Sequence, residues 1–110
     1  MPNIGSTSDI SGSSVVVEKA TNVKITHLSM ATANTEYSHA LESGVKILEI
    51  YIKNNSSNAQ FCFATGETNT KYIPIPKRTC YHIDQIKFSS KTLYIEADEN
   101  NQTAIIAEYY

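Results

Sequence analysis

From residue 14 onward the chain breaks into short apolar runs separated by polar turns, and within most runs apolar and polar positions alternate. Residues 45–53 show the rhythm best: Leu48, Ile50 and Ile52 fall on one side, and Glu49, Tyr51 and Lys53 on the other. An aliphatic side backed by a polar or amphipathic one is the pattern of a strand with one face on a core. Residues 92–97 repeat it, with Leu93, Ile95 and Ala97 against Tyr94 and Glu96. Residues 103–110 set Ala104 and Ile106 against Ile105, Ala107 and Tyr109, and residues 60–64 set Phe61 and Phe63 against Cys62. Residues 35–41 alternate Tyr37, His39 and Leu41 with Glu36, Ser38 and Ala40 before a turn at Glu42-Ser43-Gly44. Val15, Val16 and Val17 read as the opening of a first strand. In residues 22–30, Val23 and Ile25 share a face and the apolar phase then slips to Leu28 and Met30, which predicts a bulge near His27.

The interruptions are equally informative. Residues 71–76, Lys-Tyr-Ile-Pro-Ile-Pro, lack two ladder donors on one side, which predicts a sheet edge or an extended connection. Residues 80–88 carry Tyr81 and Ile83, then Ile86 and Phe88, with a phase change at Asp84-Gln85. Short loops between the runs from Tyr81 to Tyr110 predict a meander, with residues 98–102 as a hairpin loop. No long window keeps a helical period. The sum is about eight strands with turn signals roughly every ten residues, the spacing of an all-β antiparallel β-sandwich, a jelly roll among its forms. Residues 1–14 are small and polar with only Ile4 and Ile10 as anchors. They read as a flexible or partner-ordered N-terminal arm ahead of a β-sandwich domain at residues 15–110.

Composition narrows the function classes. Of the 110 residues, 41% are hydrophobic and 18% charged, a balance that favours one packed domain over disorder. A net charge of -2 argues against a nucleic-acid partner, because phosphate binding needs a cationic face. No apolar run approaches the ~18 residues of a membrane span. Residues 1–14 lack the basic start and apolar middle of a signal peptide.

Candidate chemistry is sparse. His27, His39 and His82 are the histidines; His82 and Asp84 would share a strand face, but a metal centre needs a third or fourth ligand. There is no HExxH, Gly-Xaa-Ser-Xaa-Gly or phosphate-cradling glycine loop. Glu36 with Glu42, or Glu96 with Glu108, could face each other across strands, but they read as solvated faces. Cys62 and Cys80 match neither a CxxC motif nor a zinc framework; they read as two small core residues, with a disulfide as the other reading. The expectation is a protein without catalytic residues, metal or cofactor. Seven tyrosines and no tryptophan leave two readings of equal weight, a protein- or glycan-binding face and amphipathic packing at strand edges. On the first reading the candidate partner-binding residues are Ile4, Ile10, Tyr51, Tyr94, Tyr109 and Tyr110.

These residues also carry a family likeness. Ala31-Thr32-Ala33-Asn34-Thr35-Glu36-Tyr37-Ser38, followed by Leu41 and the Gly44 turn, resembles the opening of small β-rich virion structural proteins of tailed bacteriophages. The strand at 47–52, Phe61-Cys62-Phe63-Ala64-Thr65-Gly66-Glu67, the proline-marked Tyr72-Ile73-Pro74-Ile75-Pro76, Thr92-Leu93-Tyr94-Ile95 and Ala107-Glu108-Tyr109 continue it. The likeness spans residues 23–110 and is one of strand starts and turns. The turn before Tyr81 departs from it by lacking a glycine. The resemblance implies a non-enzymatic virion protein that decorates or cements a capsid. Its partner would be the major capsid protein or other virion proteins. It would work as a homo-oligomer, dimer or trimer, away from nucleic acid and membrane. The alternative is a carbohydrate- or receptor-binding sandwich module of a phage tail or fibre.

Overall fold

The computed structural model describes residues 20–84 and 91–110. Eight strands run through them: β1 (Val23–Met30), β2 (Tyr37–Ala40), β3 (Ile47–Ile52), β4 (Ala59–Cys62), β5 (Ile73–Ile75), β6 (Tyr81–Ile83), β7 (Thr92–Ala97) and β8 (Gln102–Tyr109). A single 3-10 turn, Lys53–Asn55, is the helical element of the described residues. The predicted all-β fold therefore forms, and its topology is specific. One four-stranded sheet has the order β1-β8-β3-β6 and the other the order β2-β7-β4-β5. All pairs are antiparallel. Eight strands in two sheets, exchanged in this order, make a jelly roll.

The period-two rhythm places the core where the sequence predicts it. Leu48, Ile50 and Ile52 of β3, Leu93, Ile95 and Ala97 of β7, and Ala104 and Ile106 of β8 are buried between the sheets. Met30, Phe61, Ile75 and Val45 complete the interior, with the Phe61 ring edge-on to Phe63 and to Tyr81. Each fully buried aliphatic contributes about 1.5–3 kcal/mol. The proline-marked run becomes β5, an edge strand as expected, with Pro74 opposite Gln60 of β4. Gly44 and Gly66 occupy turns at φ +79 and +77, a region costly for residues with a Cβ.

Three expectations are corrected. There is no bulge at His27: β1 pairs with β8 in unbroken register from Val23↔Tyr109 to Met30↔Gln102. The inward set of β1 is Lys24, Thr26, Leu28 and Met30, so Val23 and Ile25 point out to solvent. The final three strands form no meander, because β6 and β8 lie in one sheet and β7 in the other. Residues 98–102 therefore cross between sheets and make no hairpin. Short loops between sequential strands suit a sheet-to-sheet crossing as well as a hairpin, which is why loop length misled. The expected N-terminal arm, Ile4, Ile10, the Val15–Val17 run, Ile86 and Phe88 lie outside the described residues.

Ile50 tests the packing. It is fully buried, and an aspartate there would place an unpaired charge between the sheets, a loss of at least about 4 kcal/mol against a typical stability of about 5–15. In urea denaturation Ile50→Asp is expected to lose the cooperative transition, whereas Ser38→Asp on an exposed position of β2 keeps it. A cooperative Ile50→Asp variant with the wild-type midpoint would contradict the register of β3.

Candidate functional site

Strand alternation gives the β1-β8-β3-β6 sheet an outer face built in rows. Val23, Tyr109 and Ile47 form one row; Ile25, Ala107, Glu49 and His82 the next; His27, Ile105 and Tyr51 a third; Ser29 and Thr103 a fourth. The face is apolar along its β1 and β8 side. Ile105 and Ala107 are buried between longer neighbours, whereas Val23 and Ile25 stand 56% and 61% exposed, with no strand of the described residues beyond β1. Tyr51 is exposed to 37% on the same face.

A polar corner closes the other side. Glu49 accepts hydrogen bonds from the Tyr109 hydroxyl at 3.1 Å and from His82 Nδ1 at 2.8 Å. That bond places a proton on Nδ1 of His82, and its Nε2 faces Asp84 Oδ2 at 3.8 Å. Cys80 is exposed and free nearby. Partial desolvation first, and the Glu49 charge second, push its thiol above the ordinary range, against a smaller opposing effect of the Ile50 backbone. A cysteine nucleophile needs the reverse, a thiolate favoured by positive surroundings. Tyr109 is likewise raised, chiefly by its hydrogen bond to Glu49. Among the described residues no group of three or more His, Cys, Asp or Glu side chains could hold a metal ion.

The expected partner-binding tyrosines do not share one surface. Tyr51 and Tyr109 lie on the outer face just described. Tyr94 sits on the outside of the opposite sheet, between Ser38 and Cys62. Tyr110 packs against the core and its backbone pairs with Asn22. Val23, Ile25 and Ile47 were missed as surface residues. Reading β1 as continuous would have found the first two, at the price of turning Lys24 inward. Of the two cysteines, Cys62 is buried as expected and Cys80 is not; both are free.

The glutamates expected on solvated faces are partly interior. Glu108 is fully buried, on the inner face between Lys24 and Leu48. Its Oε1 accepts the Glu42 backbone N–H at 2.6 Å and its Oε2 accepts from His39 Nε2 at 2.7 Å. Lys24 Nζ in turn reaches Glu42 at 2.8 Å, which holds the lysine above its ordinary value. The carboxylate thus joins β8 of one sheet to β2 of the other. Glu96 is 3% exposed on the outside of the second sheet, under the β4–β5 connection. Thr68 Oγ1 donates to it at 2.6 Å, and the Asn69 amide, oriented to satisfy its neighbours, donates at 2.9 Å. Glu36 accepts the Gly66 N–H at 3.0 Å and clips the same connection down. Glu96 and Glu108 therefore lie on different sheets, one outside and one inside, and form no acid–base pair. Sequence patterning assigns charged residues to the surface by default; only the tertiary partners reveal these two as clasps.

Compared with known protein families, curated proteins and solved structures, the chain has no match. The described residues define its class, a jelly roll of eight strands, and the arrangement of its surface is the guide to what it does.

Two measurements check this geometry. Glu108→Ala strips the partner from a half-buried histidine and a half-buried N–H, and is expected to lower unfolding stability by about 1–3 kcal/mol; an unchanged stability would contradict the clasp. For Cys80, removing the Glu49 charge lets the thiolate form at lower pH. Glu49→Gln is expected to shift the pH profile of iodoacetamide alkylation downward and speed the reaction at a fixed pH near 8. An unchanged or slower reaction would show that Glu49 does not act on the thiol.

Proposed function

We propose that the chain is a non-enzymatic structural protein of a phage particle, a decoration or cement protein that binds the major capsid protein lattice. It attaches through the outer face of the β1-β8-β3-β6 sheet and is resident in the virion as a dimer or trimer. The single observation that carries this reading is the exposure of Val23 and Ile25 beside Tyr51 on a sheet face. Large apolar side chains held on a strand are already ordered, so a partner that covers them gains apolar contact with little loss of freedom. The Glu49, His82 and Asp84 corner supplies a polar rim, as at many protein interfaces. The likeness to phage virion proteins and the use of jelly rolls in capsids support the reading by analogy.

The test is attachment to particles of the encoding phage from which the protein has been removed. Wild-type protein is expected to co-sediment with them, and the double variant Val23→Asp, Ile25→Asp to bind at least about tenfold more weakly while keeping its circular dichroism spectrum. Undiminished attachment of the folded variant would overturn the assigned face. Saturable binding on a glycan array that is lost in Tyr51→Ala, without particle attachment, would favour a receptor-binding module in its place.

A further inference from the structure

Among the described residues strand β1 forms an edge of its sheet and is eight residues long, whereas the other edges, β6, β2 and β5, have three, four and three residues. Its backbone pattern is fixed at one end. Asn22 and Tyr110 exchange both N–H···O bonds, at 2.7 and 2.9 Å. Alternation along an antiparallel ladder then commits the backbone groups of Lys24, Thr26, Leu28 and Met30 to β8. Val23, Ile25, His27 and Ser29 direct their N–H and C=O groups away from the sheet, and no described residue pairs with them. The usual means of blunting an edge are few here. The strand has no proline and no bulge, and its one charged side chain, Lys24, lies on the inner face bound to Glu42. The edge β5, by contrast, carries Pro74.

We propose that the β1 edge pairs with the β1 edge of a second copy, antiparallel about a twofold axis at Thr26, which joins two four-stranded sheets into one of eight strands. In this register Val23 lies opposite Ser29 of the second copy and Ile25 opposite His27, so all the outward backbone groups find partners, about eight bonds in total. Lys24 falls opposite Leu28, and no like charges meet. An axis at residue 25 would set Ser29 against Thr21, whose N–H is already given to Tyr110. An axis at residue 27 would set two imidazoles face to face. Only the register at Thr26 uses the whole edge.

The size of the contact sets its strength. Eight residues at about 3.4 Å each give a seam roughly 27 Å long and one strand wide, a few hundred Å² per copy against the ~800 Å² of a standard interface. The pair is therefore weak in dilute solution and fills when copies are held close together, where effective concentrations reach about the millimolar range. This inference deepens the oligomer named in the particle reading and rests on that reading for the closeness of the copies; its test is made on the free protein, so its outcome is separate from that of particle attachment.

Amide exchange followed by NMR, with sedimentation velocity on the same samples, tests it from roughly ten micromolar to about one millimolar. Across that range the amides of Val23, Ile25, His27 and Ser29 are expected to slow by at least about tenfold as the sedimenting mass moves toward a dimer. Ile25→Pro, which removes one outward donor, and Ile25→Lys, which adds repulsion, are both expected to remain monomeric at the top concentration. Fast exchange at those amides throughout would overturn the proposal. So would protection already complete in the monomer, or a dimer that protects other amides instead.

Discussion

The structure depends on strand β8 being apolar on both faces and therefore having to lie between two other strands. Ala104 and Ile106 close the interior from one side, and Ile105 and Ala107 are buried on the other. A strand with that composition is unstable at an edge, where one flank would leave its outer residues wet. β1 and β3 supply the flanks: His27 and Tyr51 border Ile105, and Ile25 and Glu49 border Ala107. The cost appears one strand further out. β1 covers β8 but has no further neighbour among the described residues, so Val23 and Ile25 carry the exposure that β8 avoids.

The same strand brings the buried carboxylate to its place. Because Glu108 follows Ala104 and Ile106 on the inner face, β8 cannot enter the sandwich without desolvating it. His39 and the Glu42 backbone answer that demand from β2 and the turn that follows it. A buried charge is weak evidence for stability in itself, but an unanswered one is strongly destabilising. The clasp therefore favours the arrangement in which β2 of one sheet lies over the β1–β8 end of the other.

The sequence made the strands legible where one face is aliphatic. Leu48, Ile50 and Ile52, or Leu93, Ile95 and Ala97, cannot be turned outward, so period two was sufficient for β3 and β7. It failed at β1 because Lys24 and Thr26 occupy inward positions near the open side of the sandwich and Val23 and Ile25 occupy outward ones. Hydropathy alone then points the strand the wrong way at its start and the right way at Leu28 and Met30, which imitates a bulge. Strand pairing was less legible still, since nothing in residues 98–102 distinguishes a crossing between sheets from a hairpin. Residue type does not tell which tyrosines share a surface: Tyr51 and Tyr109 lie on the same sheet face, whereas the fold sets Tyr94 on the other sheet and Tyr110 against the core. Glu96 and Glu108 were read as solvated because their partners, Thr68 and His39, are distant in sequence.

The most direct check on the central claim is a set of backbone Hα–Hα NOEs in the isotopically labelled protein. Placement of β8 between β1 and β3 predicts contacts from Ala107 to Ile25 and from Ile106 to Ile50, residues that lie opposite each other in non-hydrogen-bonded pairs. Contacts joining β8 to β7 in place of these, such as Ile105 to Ile95, would mean that the last strands form a meander, and the apolar sheet face and the β1 edge would not exist.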